Sequence, residues 1–154
     1  EPDAVVVVCD ATCLERNLNL VLQTIEITEN VVVCVNLMDE AKKKKIAIDL
    51  KGLSKELGVP VVGAAARSGK GLDEMMRALE TLPQKGSGRK AITVQYIKPI
   101  EEAIDLALPA IEEKVAGKIN ARWLALKLLD YDETLVHSLG EYLGYDLMDR
   151  KRKR

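Results

Sequence analysis

Two short segments carry the side chains best suited to chemistry in this sequence of 154 residues. The first is Asn36-Leu37-Met38-Asp39, which ends the apolar run from Val31 to Val35. A carboxylate in that place can accept two hydrogen bonds side by side, from the N1–H and the 2-amino group of guanine. Adenine lacks that donor pair and would leave the carboxylate desolvated and unpaired, so discrimination reaches roughly 10⁴-fold. Asn36 can bond the base and tie neighbouring loops together. The same residues also suit a plainer role, ending a strand and capping a helix. The second segment is Ala64-Ala65-Ala66-Arg67-Ser68-Gly69-Lys70-Gly71, which follows the next apolar run. There the small Ala66 lets its backbone N–H approach the guanine O6, and the glycines turn the chain into a helix.

The elements that must hold these loops are legible from periodicity. Ala4 to Cys9 is a continuous β-branched run, the pattern of a strand buried on both faces. Thr12-Cys13-Leu14-Glu15 reads as a capping box, opening a helix with Leu14, Leu18, Val21, Leu22 and Ile25 on one face. Val31 to Val35 is the second strand. The lysine-rich turn Lys42 to Lys45 leads to a helix bearing Leu50, Leu53 and Leu57 and stopped by Gly58. Pro60 to Ala65 is the third strand, and Leu72, Met75, Met76, Leu79 and Leu82 stripe a third helix. Such strand–helix alternation implies parallel strands joined by right-handed crossovers. Ligands of such sheets lie at the carboxyl ends of the strands, where Asp10-Ala11-Thr12 and both loops fall.

Beyond a linker-like stretch, Pro83 to Lys90, the pattern becomes helical. Ile100 to Val115 repeats as one apolar face, with Pro99 in the first turn and Pro109 expected to kink or divide the helix. Asn120 and Asp132 are placed to cap two further helices. The domains expected are therefore residues 1–82, a linker over 83–90, and a helical domain over 91–154.

Composition narrows the function. Hydrophobic residues make up 47% and charged residues 31%, which is globular composition. The 23 basic and 24 acidic residues nearly cancel, which argues against nucleic-acid binding driven by charge. Cys9, Cys13 and Cys34 form no Cys-x-x-Cys, and His137 is the only histidine, so no metal site is expected. A reduced, cytosolic setting fits this cysteine usage. No apolar run approaches the ~20 residues that span a bilayer. The chain opens Glu-Pro-Asp rather than with Met, as a piece of a larger protein would.

The two loops together resemble the Ras-like GTPase pattern Asn-Lys-x-Asp followed by Ser-Ala-Lys/Arg. Asp10-Ala11-Thr12-Cys13-Leu14-Glu15-Arg16-Asn17-Leu18 resembles a run of the bacterial ferrous iron transport protein B family, and Asn36-Leu37-Met38-Asp39-Glu40-Ala41 is similar to that family's Asn-Met-Met-Asp-x-Ala. Arg122-Trp123-Leu124-Ala125-Leu126-Lys127-Leu128-Leu129 is similar to the Arg-Trp-x-Ala-x-Lys-Leu-Leu of its helical regulatory domain. The resemblance implies an α/β fold: a truncated, three-stranded parallel sheet of a Ras-like P-loop GTPase, followed by a small all-α domain that favours the GDP-bound state. It implies GTP or GDP as ligand of the parent, with Asn36, Asp39, Ala65, Ala66 and Arg67 at the nucleotide. It also implies a transmembrane ferrous iron permease as partner, at the cytoplasmic face of the bacterial inner membrane.

The same comparison marks departures. Leu37 stands where a lysine stem usually covers the guanine face, and Ala65 where a serine usually supports the aspartate; both imply loose, rapidly exchanging nucleotide. The 154 residues hold no Gly-x-x-x-x-Gly-Lys-Ser/Thr phosphate loop and no magnesium-binding segment, so no catalytic residue is assigned. Two other readings are another Ras-like GTPase with a helical appendage, and a non-catalytic interaction module. A homo-oligomer formed through the first strand and first helix is expected, since the Ala4 to Cys9 run lacks the charges that protect an exposed edge. Trp123 is expected to pack between helices, and the basic run Arg150 to Arg154 to fray or touch anionic lipid.

Overall fold

The structure, a computed structural model, describes residues 3–82, 91–130, 132–144 and 147. The expected linker over 83–90 and the basic run from Arg150 lie outside the described residues. The chain divides into two compact units, Glu1–Val94 and Gln95–Arg154.

The first unit is a parallel sheet in the order β1 (Val5–Asp10), β2 (Val31–Asn36), β3 (Val61–Gly63). β1 pairs with β2 from Val5↔Val31 to Asp10↔Asn36, and β2 pairs with β3 from Val33↔Val61 to Val35↔Gly63. The β-branched run in β2 suits its central place, and Val31 to Val35 are all buried there. Helices α1 (Leu14–Ile27) and α3 (Leu50–Leu57) share one sheet face, packing Val21, Ile25 and Leu57 with Val7, Cys9, Val33 and Val35. Both crossovers step in the same direction along the sheet, which puts both helices on that face. α4 (Leu72–Glu80) packs on β2 and β3.

β1 departs from the expectation of burial on both faces. Val7 and Cys9 are buried against α1, but Val8 is 59% exposed. Among the described residues β1 pairs only with β2, and α4 lies over the other two strands. Burial pushes the Cys9 and Cys34 thiols up, as for small core residues, while Cys13 is exposed.

The expected capping box at Thr12 does not form. Cys13 holds the N-cap position of α1 with no side-chain bond. The Asp10 carboxylate instead accepts the Thr12 N–H at 2.7 Å, closing a tight turn at the strand end. Asp10 competes for that amide because it lies only two residues away, an Asx turn with little entropy to lose. A short helix absent from the sequence reading, α2 (Met38–Lys43), follows β2. It ends in a Schellman turn: the Ile46 N–H donates to Ala41 O at 2.9 Å and the Lys45 N–H to Lys42 O at 3.1 Å. Lys45 takes the left-handed position, φ 58°, that glycine usually fills.

The second unit comprises α5 (Lys98–Val115), α6 (Ala121–Asp130) and α7 (Glu133–Leu143). Its core joins Ile104, Ile111 and Val115 to Leu124, Ala125 and Leu143, with Trp123 packed alongside. Pro109 does not divide α5, which runs through it unbroken. A proline removes one helix hydrogen bond, and the buried stripe on both sides of it holds the helix together. Asn120 accepts from the Trp123 N–H at 3.1 Å and Asp132 from the Leu135 N–H at 3.0 Å, so both caps form as the sequence predicts.

One ion pair clasps this unit. The Arg122 guanidinium grips Glu101 with two parallel bonds, Nη1 to Oε2 at 2.9 Å and Nη2 to Oε1 at 2.8 Å. Glu101 also accepts the Tyr96 backbone N–H at 2.7 Å, fixing the extended segment before α5. Both side chains are largely covered, 23% exposed for Arg122 and 21% for Glu101. The Arg122 hydrogen bonds, followed by the Tyr96 amide, hold the Glu101 carboxyl down at about 2. A carboxylate lowered by folding stabilises above its unfolded value of 4.5 and loses that contribution as pH falls toward 2. The protection of the Tyr96 amide, taken relative to the intrinsic exchange rate at each pH, should therefore fall over that acid window. Glu101→Gln should remove the pH dependence while leaving a weaker bond in place.

Candidate functional site

Because the strands are parallel, their carboxyl ends lie together and the loops after β1, β2 and β3 become neighbours. Backbone bonds lock them: the Ala11 N–H donates to Asn36 O at 2.9 Å, Ala64 N–H to Val35 O at 2.8 Å, and Met38 N–H to Ala64 O at 3.0 Å. One side chain completes the join. Asn36 Oδ1 accepts the Ala66 N–H at 3.0 Å, across thirty residues of sequence.

The structure thus brings Asn36 and Ala66 together, with a twist on the sequence reading. The Ala66 amide, read as a donor to a base, is satisfied by Asn36, so it reaches a ligand only if that bond opens or is shared. Asp39 stands exposed in the first turn of α2. Leu37 precedes it in the left-handed region, φ 63°, and is 37% exposed. Ala65 is buried, and its backbone is spent within its own loop: N–H to Lys70 O at 2.9 Å, carbonyl to Ser68 Oγ at 3.0 Å. It supplies a methyl wall rather than a hydrogen bond. Arg67 is exposed on the short 3₁₀ turn Ala66–Ser68.

Asp10 supports this edge from β1. Its N–H donates to Asn17 Oδ1 at 2.6 Å. The Thr12 backbone N–H, then the Thr12 hydroxyl, the Cys13 thiol and the Lys44 charge, hold its carboxyl below the ordinary value. Asp10 stays ionised and keeps the turn closed beside Asn36.

Glycine makes the third loop possible. At Gly71, φ 84°, a side chain would drive its Cβ into the Gly63 carbonyl oxygen and to 2.9 Å from the Ala64 Cα. No shift of a side chain could relieve a clash with backbone. Beneath the loops lies a cavity of about 710 Å³, lined by Asp39, Ala65 and Lys70 together with Met38, Ile48 and Leu50. The sequence reading missed its floor. The signal was the apolar cluster Ile46, Ala47, Ile48 and Leu50 that follows the lysine run. Among the described residues, no group of three or more His, Cys, Asp or Glu could hold a metal ion. No described helix is long and apolar enough to cross a membrane.

A three-stranded parallel sheet with flanking helices, followed by a helical unit, matches the fold of a GTPase-type domain joined to a helical domain. The chain belongs to the ferrous iron transport protein B family: that family's model matches residues 1–79, and the FeoB cytosolic helical domain matches residues 96–153. It is 37% identical over 150 residues to an Fe(2+) transport protein A/FeoB fusion protein of Porphyromonas gingivalis, covering 91% of this chain. It is 31% identical to the Fe(2+) transporter FeoB of Salmonella typhimurium, over 86% of this chain. The chain spans 17% of the length of each of these curated relatives. Its fold is similar to the cytosolic domain of the T. maritima FeoB iron transporter. Against the GDP form of that domain the TM-score is 0.75 at 32% identity, covering 94% of this chain and 56% of that one. Against the GMPPNP form the TM-score is 0.73 at 31% identity, again covering 94% of this chain and 56% of that one.

Gly71→Ala is expected to lower the stability of the first unit by about 2–4 kcal/mol, through left-handed strain and a clash with backbone. Urea unfolding would show the loss, and an unchanged midpoint would mean that this turn is not held as described.

Proposed function

We propose that this chain carries the base-recognising part of a guanine-nucleotide domain, with its helical regulatory domain, from a bacterial ferrous iron transporter. The observation that supports it most directly is the bond from the Ala66 N–H to Asn36 Oδ1 at 3.0 Å, which fastens the two recognition loops into one edge. On that edge Asp39 offers an exposed carboxylate, and Leu37 an exposed apolar surface two residues away. These fit a planar base with two adjacent donors. In this reading Asp39 accepts from N1–H and the 2-amino group, Asn36 and Ala66 share the O6 side, and Ala65 and Arg67 flank the ring. Similarity to structures named as GDP and GMPPNP forms supports the choice of guanine nucleotide.

The parent would sit at the cytoplasmic face of the cell membrane, where nucleotide binding and hydrolysis govern Fe(II) passage through a transmembrane partner. Hydrolysis needs a cradle for the phosphates and a magnesium ion, which supply nearly all of the catalysis in phosphoryl transfer. The 154 residues contain no phosphate loop, so their contribution is recognition of the base. Replacement of lysine by Leu37 removes a cationic stem from the base face. Engagement of the Ala66 amide by Asn36 adds a competing bond, and both favour fast exchange.

Two outcomes follow. The purified chain should release no phosphate from GTP above a matched blank, and turnover that survives further purification would contradict the reading. In a longer protein that includes the phosphate loop, Asp39→Ala should weaken GDP binding by about 100-fold, the scale of a desolvated charge-assisted contact. Asp39→Asn should shift preference toward xanthine nucleotides, because the amide donates where xanthine carries an oxygen. Unchanged competition between the two bases would show that Asp39 does not touch the base.

A further inference from the structure

We propose that the cavity under the recognition loops is a second ligand site, built for an amphipathic anion with an apolar body of about two fused or linked rings. Its volume of about 710 Å³ is in the range of small-molecule sites, and its walls are mostly apolar. It adjoins the base edge and extends away from it. Asn36, Ala66 and Arg67 do not line it, and the space runs instead toward Ile46, Ile48 and Leu50. Only Asp39 and Ala65 belong to both.

The floor is shaped by a missing side chain. A Cβ on Gly63 would stand 2.7 Å from Leu50 Cδ1 and 3.3 Å from Met38 Cγ, so glycine lets those two apolar side chains close over the strand. The rim is basic: Lys42, Lys45 and Lys70 line it against the single carboxylate of Asp39. A neutral or cationic guest would leave that charge imbalance uncompensated, whereas an anion would offset it.

Lys45 provides an independent reason to read the rim as functional. It holds the left-handed position of the Schellman turn, φ 58°, where glycine would be unstrained. A long cationic side chain kept in a strained backbone at the mouth of a cavity is the pattern of a binding residue. It also gives a variant that separates stability from binding, since Lys45→Gly relieves strain and deletes the cation together.

The probe is 1-anilinonaphthalene-8-sulfonate, two linked ring systems with one sulfonate, titrated against the whole chain by fluorescence. N-phenyl-1-naphthylamine, the same body without the sulfonate, serves as its neutral partner. The wild-type chain should bind the sulfonate saturably at one site. Lys45→Gly should raise the urea midpoint yet weaken the sulfonate five- to tenfold, leaving the neutral amine unchanged. Ala47→Trp, at an exposed position that lines the cavity, should weaken both dyes more than tenfold. Leu106→Ser, in the other unit at a residue 88% exposed, should change neither. Sulfonate binding indifferent to both Lys45→Gly and Ala47→Trp would overturn the proposal by placing the dye elsewhere. Displacement of the dye by GDP, lost in Asp39→Ala, would overturn it by making the cavity an arm of the base site.

Discussion

Everything in the first unit depends on the burial of β2. Its residues Val31 to Val35 leave no water for the backbone, so each amide and carbonyl must find a partner in a neighbouring strand. Parallel neighbours on both sides meet that demand. The same register then fixes where the strand ends, because Asp10 pairs with Asn36 and Gly63 with Val35. A one-residue slip would reverse the faces of every valine in the core, so the edge that carries Asn36 is set by packing far from it.

From that edge the loops are held by successively smaller forces. Three backbone bonds join the ends of the strands, then the Asn36 amide reaches Ala66, and the Gly71 turn folds the third loop back over Gly63. The turn needs a residue with no side chain, and the Asn36 bond needs a short polar one. Large apolar residues would serve neither place. The turn and the bond therefore each restrict the residue type at their own position.

Much of this was legible in the sequence because burial writes itself in runs. The valine strands, the helix stripes, the stop at Gly58 and the caps at Asn120 and Asp132 all follow from local composition. What escaped was competition between local partners. Thr12 and Glu15 have the spacing of a capping box, but Asp10 reaches the Thr12 amide first. Lys45 has no sequence signature of a left-handed residue, since the Schellman turn is imposed by the Ile46 bond to Ala41. Pro109 reads as a helix breaker, yet Ile104 and Ile111 are buried on both sides of it in the same core. Exposure of Val8 was hidden too, because a strand's sequence does not say which of its faces a helix will cover.

The pairing of Asn36 with Ala66 also bears on the proposed recognition of a base. The Ala66 amide lies at an exposed position and is bonded to Asn36. In the proposed complex a base would therefore gain only the difference between two similar bonds there. The proposed selectivity for guanine would then rest mainly on Asp39, whose carboxylate stands exposed and discriminates by what adenine cannot donate. In that proposal specificity rests on Asp39 after β2, while the Ala66 amide after β3 adds little affinity. Under the proposed reading, such an edge would distinguish bases sharply while holding them briefly.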